Sequence, residues 1–370
     1  MTNLYQLLGK KALFALDAEQ AHKISISALR MGLHPKFDAN FDDRLAVNVA
    51  GIEFPNPLGM AAGYDKNGDA PQALLKMGFG HTEVGTVTPK PQPGNPKPRI
   101  FRLIEDEGVI NRLGFNSGGH ALAKANIQAM GKSRGIIGIN IGANKSSEDF
   151  AADYVTGVHE FAEYATYFTV NISSPNTPGL RALQGVNPLT DLLQRVGAAR
   201  AEQADKQGRR VPLFLKIAPD LDDGELDDIA KAIGQSDFDA LIVSNTTLAR
   251  NGLRSYNKDE VGGLSGKPLF EASTVILAKM RLRLATDFPL VGVGGVHSAE
   301  SAFAKLEAGA NLVQLYSSMV YEGPGLPGQI LEGLAQRCDA EGIKNISQIV
   351  GRAADHWARG GHQDEHEAKI

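Results

Sequence analysis

The sequence predicts an α/β fold, a closed (β/α)8 TIM barrel preceded by a small N-terminal helical pair. Apolar, strand-like segments recur between residues 58 and 315, each followed by a stretch with helical spacing of its apolar positions. About eight such alternations are what closes a parallel sheet on itself, whereas an open doubly wound sheet usually has fewer. Nearly every strand-like segment also ends in glycine, amide or hydroxyl residues, at the place where such a barrel gathers its site. Glycine is abundant, at 41 of 370 residues, which provides for tight turns and close approach of backbone to a ligand.

Composition narrows the class. A hydrophobic content of 42% and a charged content of 22% belong to a globular protein with a sizeable core. The length fits one large barrel or two average domains. A net charge of −4 without a basic block argues against a nucleic-acid partner. The one cysteine, Cys338, can build neither an internal disulfide nor a thiolate metal site, as expected in a reducing compartment. No apolar run reaches the roughly 18 residues of a spanning helix, and no signal peptide is expected from the Met1-Thr2-Asn3 start.

In chain order, residues 3–31 read as two short helices. Leu4, Leu7, Leu8 and Phe14 share one side of the first. Asp17 is the expected N-cap of the second, with Gln20 completing a capping box. Ala21, Ile24, Ala28 and Met31 follow at helical spacing, and Gly32 and Pro35 stop the helix. This amphipathic pair, residues 1–40, is expected to pack on the barrel or to lie on a membrane surface. Residues 44–54 alternate as a hairpin turning at Ala50-Gly51. Strands are expected at 58–62, 82–87, 136–141, 168–172, 213–217, 240–243, 290–293 and 312–315. Helices are expected at 68–77, 118–130, 148–165, 189–206, 222–233, 269–283, 298–308 and 328–340. Arg99–Phe115 reads as a hairpin inserted between the second and third strands. The barrel then spans 41–341, and 342–370 is a C-terminal extension with a polar, disordered tail from 359.

The strand ends carry the chemistry. They read Ala61-Ala-Gly-Tyr-Asp-Lys66, Gly85-Thr86, Asn140-Ile-Gly142, Asn171 to Asn176, Lys216-Ile-Ala-Pro219, Ser244-Asn-Thr246, Gly292-Val-Gly-Gly295 and Tyr316-Ser-Ser318. Taken singly, the turn after Asn171 is a proline-rich loop whose Asn and Ser satisfy local backbone groups. Its recurrence at strand after strand argues for a site. Glycines after the seventh strand and hydroxyls after the eighth form an anion cradle, where this fold commonly binds phosphate. Lys66 and Lys216 are either Schiff-base nucleophiles or point charges for an anionic substrate or an electron-rich cofactor. Apart from Asp65 these ends hold no carboxylate or imidazole, so neither a hydrolytic acid/base pair nor a metal site is expected. Asn111, Asn171, Asn176 and Asn245 offer donors and acceptors together, which suits a planar imide or pyrimidine-like ring. An aldolase or phosphosugar isomerase acting through Lys216, and a non-catalytic ligand-binding barrel, both remain compatible with these residues.

A family resemblance separates these readings. Asn171-Ile-Ser-Ser-Pro-Asn-Thr-Pro-Gly179, Ala61–Lys66, Gly85-Thr-Val-Thr-Pro-Lys-Pro-Gln-Pro-Gly-Asn95 and Asn111-Arg-Leu-Gly-Phe-Asn116 resemble dihydroorotate dehydrogenases. So do Lys216-Ile-Ala-Pro-Asp220, Ser244-Asn-Thr-Thr247, Gly262-Gly-Leu-Ser-Gly266 and Gly292–Gly295, in order, within about Leu7 to Gly328. The resemblance implies FMN-dependent oxidation of (S)-dihydroorotate to orotate in pyrimidine biosynthesis. A serine at position 174 and an N-terminal helical pair resemble the quinone-reducing class 2, whose soluble relatives use cysteine and lack the pair. That class implies peripheral attachment to the cytoplasmic side of the cell membrane through the N-terminal helices.

The resemblance also assigns roles. Ala62, Gly63, Thr86, Asn140, Asn171, Lys216, Ser244, Gly266, Gly295, Tyr316 and Ser317 are implied to hold FMN. Lys66, Asn111, Arg112, Leu113, Gly114, Phe115, Asn171, Asn176, Asn245 and Thr246 are implied to surround the substrate. Ser174 would take the proton from C5 as hydride leaves C6 for flavin N5, with Thr177 in the relay that carries the proton away. His22, Arg102 and Tyr316 would line a quinone channel. Tyr64 stands where close bacterial relatives are expected to carry Leu. A serine hydroxyl is a weak base at neutral pH and no histidine is placed to activate it. Lys66 and the asparagine dipoles are therefore expected to supply the larger, electrostatic share, and Lys216 to favour an anionic reduced flavin.

Overall fold

The computed structural model describes residues 9–37, 42–131 and 135–361. Leu4, Leu7 and Leu8 of the expected first helix lie outside this range, as does the tail from 362. The described chain begins with α1 (Lys10–Phe14) and α2 (Ala18–Arg30). Asp17 caps α2, its carboxylate accepting the N–H groups of Glu19 and Gln20 at 3.0 Å. Gln20 does not return the bond, so the expected capping box is a one-sided cap. The hairpin β1 (Val47–Val49) and β2 (Ile52–Phe54) turns where expected. Ala50 and Gly51 both have positive φ, 53° and 78°, the twist that a two-residue turn between right-twisted strands requires.

Next come β3 (Leu58–Asp65), α3 (Pro71–Lys76) and β4 (His81–Val87), followed by the inserted hairpin β5 (Ile100–Leu103) and β6 (Gly108–Asn111). After α4 (Gly119–Ala129) the alternation is regular: β7 (Ile137–Ile141), α5 (Phe150–Phe161), β8 (Tyr167–Asn171), α6 (Val186–Gln207), β9 (Leu213–Ile217), α7 (Asp223–Gly234) and β10 (Ala240–Val243). A short strand, β11 (Gly263–Gly266), precedes α8 (Phe270–Arg283), β12 (Leu290–Val293), α9 (Ala299–Glu307) and β13 (Leu312–Leu315). The chain then runs through α10 (Ser318–Glu322), α11 (Leu326–Glu341) and α12 (Ala354–Ala358).

Strands β3, β4, β7, β8, β9, β10, β12 and β13 close a parallel barrel, with β13 returning to pair with β3 at Val313 and Leu58. Residues of β4, β7, β8 and β9 are buried throughout, because helices cover the outside and side chains fill the inside. That is why these strands read as continuous apolar runs, without alternation.

Two features depart from the sequence reading. The inserted hairpin is the core of a three-stranded sheet, since β11 pairs antiparallel with β6 from Gly263–Asn111 to Gly266–Gly108. Gly-Leu-Ser-Gly lacks the β-branched and aromatic residues that announce a strand, so its extended form comes from pairing alone. The chain after Gly342 is polar in composition, yet Ile343, Ile346 and Ile349 are buried and α12 packs on α8. Isoleucines three residues apart present one apolar face, and the Trp357 ring meets Phe270 edge-on at 5.9 Å.

Candidate active site

The loop after β3 is wound by a carboxylate. Asp65, fully buried, accepts the N–H groups of Asp69 at 2.7 Å and Ala70 at 2.8 Å. Burial pushes it up to about 6 while those bonds oppose the rise. The turn leaves Lys66 against the cavity, where burial, helped by the nearby Arg99 charge, draws its amine down to about 8.

The amides and hydroxyls at the neighbouring strand ends interlock. Asn171 Nδ2 donates to Thr86 Oγ1 at 2.9 Å and to Asn140 Oδ1 at 3.2 Å. Asn171 Oδ1 accepts from Ser173 Oγ at 2.8 Å, and Asn245 Nδ2 reaches Ser173 Oγ at 2.9 Å. Asn176 Nδ2 donates to the Asn111 carbonyl at 3.1 Å, tying the loop after β8 to β6. Ser174 Oγ accepts the Asn176 N–H at 3.2 Å and faces the cavity. Beneath this network lies Glu83, wholly buried inside the barrel. It accepts from Gln314 Nε2 at 2.7 Å, Asn140 Nδ2 at 3.1 Å, Thr169 Oγ1 at 3.1 Å and the Tyr167 hydroxyl at 3.2 Å. A carboxylate tolerates such burial only when its lone pairs are used in this way. Its charge raises the Lys216 amine, against the larger lowering by burial.

One cavity of about 420 Å3 connects these groups. At one end stand the glycines after β12 and β11. Gly295 has φ 75°, and a Cβ there would fall 2.4 Å from Phe270 Cα; at Gly266, φ 89°, it would fall 2.5 Å from the Glu107 carbonyl oxygen. No larger residue fits either place. Among the described residues no acceptor engages the backbone N–H of Gly295 or Ser317, which leaves donors for an anion. At the other end the cavity opens between α1 and α2, lined by Leu13, Phe14, Ala18, Ala21, His22 and Leu33. Tyr316 Oη and His22 Nδ1 approach to 3.4 Å. Burial, then the Lys66 charge, draws His22 down to about 4, so it is neutral at neutral pH. The Tyr64 hydroxyl bonds Ser25 Oγ at 3.1 Å and its ring meets those of His22 and Tyr316 edge-on, both at 5.3 Å. Arg102 donates to the carbonyls of Leu16 at 2.9 Å and Leu13 at 3.1 Å and covers the Phe14 ring, closing the C-terminal end of α1.

The comparisons with known proteins agree with this geometry. The family model for dihydroorotate dehydrogenase matches residues 44–338. The chain belongs to the dihydroorotate dehydrogenase family. The protein named dihydroorotate dehydrogenase (quinone) from Sinorhizobium fredii is 59% identical over 359 residues, 97% of this chain and 99% of its own. The one of the same name from Sinorhizobium medicae is 60% identical over 351 residues, 95% and 97% of the two chains. The ligand-free crystal structure of the Eimeria tenella dihydroorotate dehydrogenase superposes with a TM-score of 0.87 at 38% identity, covering 92% of this chain and 99% of that one.

In this dihydroorotate dehydrogenase most of the residues singled out from sequence line the same cavity. They are Ala62, Gly63, Lys66, Thr86, Asn111, Leu113, Gly114, Phe115, Asn171, Ser174, Asn176, Lys216, Ser244, Asn245, Thr246, Gly266, Gly295, Tyr316 and Ser317, with His22 and Arg102 at the apolar end. Three lie elsewhere. Arg112 turns away, held by Glu260 at 2.7 Å and the Val261 carbonyl at 3.1 Å over the Phe101 ring. Its neighbours 111 and 113–115 form the wall, and the pull of a carboxylate sends this one side chain outward. Asn140 sits one layer below, between Thr86 and Glu83. Thr177 is buried beside the loop, its Oγ1 without a partner among the described residues. Sequence reasoning missed Glu83 and Gln314, although a lone glutamate inside an apolar strand is itself a signal.

Proposed function

We propose that this dihydroorotate dehydrogenase binds FMN, oxidises (S)-dihydroorotate against it, and passes the electrons to a membrane quinone that arrives between α1 and α2. One observation carries the reading. A single cavity joins the polar strand-end cluster, a glycine and hydroxyl cradle for phosphate, and an apolar mouth between amphipathic helices. When bound, FMN supplies a two-electron acceptor that a quinone can reoxidise. Gly266, Gly295 and Ser317 would hold its phosphate, Thr86, Asn171, Lys216 and Ser244 its ring system.

Oxidation removes a proton from C5 and a hydride from C6 of the substrate. Lys66 balances the substrate carboxylate, and Asn111, Asn176 and Asn245 present amide donors and acceptors to the ring. The Ser174 hydroxyl would receive the C5 proton while its own proton moves on, with Thr177 Oγ1, which has no partner among the described residues, relaying it by passing its own proton outward to solvent. Charge that develops on the ring is stabilised by Lys66 and the fixed amide dipoles, a larger effect than the basicity of a serine. Lys216, above the Glu83 carboxylate, favours negative charge on the reduced cofactor.

The exposed Leu16, Ile24, Met31 and Leu33 of the N-terminal elements support peripheral contact with a membrane surface, in this proposal the cytoplasmic face of the cell membrane. No described helix is long and apolar enough to cross one. The test is anaerobic stopped-flow absorbance. Dihydroorotate should bleach a bound flavin and a quinone should restore its colour; a purified protein without flavin, or one that dihydroorotate leaves yellow, overturns the proposal.

A further inference from the structure

Behind the glycine turn that follows β12, a lysine is sealed inside the protein. Lys305, on α9, is fully buried, and burial alone acts on its amine, driving it well below the usual lysine range with no charged neighbour to offset it. Its Nζ donates to Ser273 Oγ at 2.6 Å and lies 5.4 Å from the centre of the Phe270 ring. Ser273 Oγ in turn reaches the Gly294 carbonyl at 3.0 Å. The lysine stem lies beside β12, its Cδ 3.3 Å from where a Cβ of Gly292 would stand.

An isolated buried amine is costly, and an apolar residue of similar volume would ordinarily pack there at lower free energy. Here the amine stands two hydrogen bonds from the turn that lines the anion cradle. In a water-poor interior the charge of the protonated amine would act over that distance far more strongly than in solvent. The hydrogen-bond chain also has a direction. Lys305 donates to Ser273, whose one proton is shared between the Gly294 carbonyl at 3.0 Å and the Phe270 carbonyl at 3.1 Å, while His297 Nδ1 lies 2.7 Å from the Gly295 carbonyl. Neither Ser273 nor His297 lines the cavity, so both carbonyls are held on its far side and the Gly295 N–H is left for the ligand.

We propose that Lys305 is a positioning residue for the cofactor phosphate: its amine, hydrogen-bonded to Ser273, fixes the glycine turn that receives the phosphate, and the bound phosphate in turn favours the protonated amine. The inference rests on the FMN reading above and deepens it. It makes the lysine specific for the phosphate end of the ligand, without a part in the ring chemistry.

The test uses the full chain stripped of flavin, titrated with FMN and with riboflavin, which lacks the phosphate, following fluorescence quenching. Lys305→Met removes the amine with little change of volume, and Ser273→Ala breaks the chain while keeping the amine. Losing the amine should weaken FMN roughly 30-fold or more in Lys305→Met and leave riboflavin within about threefold. Ser273→Ala should shift FMN in the same direction by less. Equal losses for both ligands would mark a purely structural lysine and overturn the proposal, as would FMN affinity unchanged in Lys305→Met. Wild-type protein that binds riboflavin and FMN alike would also overturn it. Wild-type protein that binds neither would bring down the cofactor reading, and this inference with it.

Discussion

In the proposed mechanism Ser174 and Lys66 divide the chemistry between a weak base and a strong charge. Ser174→Ala should keep bound flavin, because the serine touches none of the cradle, yet lose about 100-fold or more of flavin reduction by dihydroorotate near neutral pH. Normal turnover in that variant would remove the proton-abstraction role. Lys66 sets a pH limit whose sign follows from its burial. The amine, drawn down from 10.5 to about 8, carries its charge below that value and loses it as pH rises through it. For an anionic substrate kcat/KM should therefore fall above pH 8, and Lys66→Met should show low activity without that limb. Tyr64 gains an explanation at this scale: its hydroxyl bonds Ser25 of α2, a contact a leucine could not make.

At the level of elements, a buried ion pair contributes to the seam between the N-terminal helices and the barrel. Glu19 of α2 takes a two-point contact from Arg99, 2.9 Å on each oxygen. The Arg99 bonds hold the glutamate down at about 2, from an ordinary 4.5. A lowered carboxylate pKa stabilises the docked form above the unfolded value, so the docking should weaken as pH falls from about 4.5 toward 2. Glu19→Ala leaves a buried guanidinium and should cost about 3 kcal/mol of this docking. Hydrogen exchange should show α2 opening more readily, with quinone reduction impaired and flavin reduction by dihydroorotate nearly intact. Equal loss of both half-reactions would mean that the helices serve the barrel as a whole.

For the whole molecule, the proposed cofactor has a consequence for stability: a ligand that binds only the folded form links folding to its own binding. At FMN about 100 times above its dissociation constant the holoprotein should gain roughly 2.7 kcal/mol over the apoprotein. Differential scanning calorimetry with and without FMN measures this, and a transition unmoved by FMN would contradict it.

The eight barrel strands, their order and most of the helices were legible in the sequence, because periodicity and turn chemistry are local properties that the tertiary fold here did not override. The same holds for the residue types at the strand ends, each of which follows directly from a strand that must stop and turn. What the sequence could not determine is which groups meet. Glu83 collects donors from four other positions on β7, β8 and β13 only because the barrel closes and staggers its strands. Arg112 leaves the site for Glu260, a partner far along the chain, and β11 is a strand only because β6 lies beside it. Lys305 reads as an ordinary helix lysine until the fold places it behind the glycine turn. Long-range closure, which no local pattern encodes, decides burial, and burial decides which charges matter.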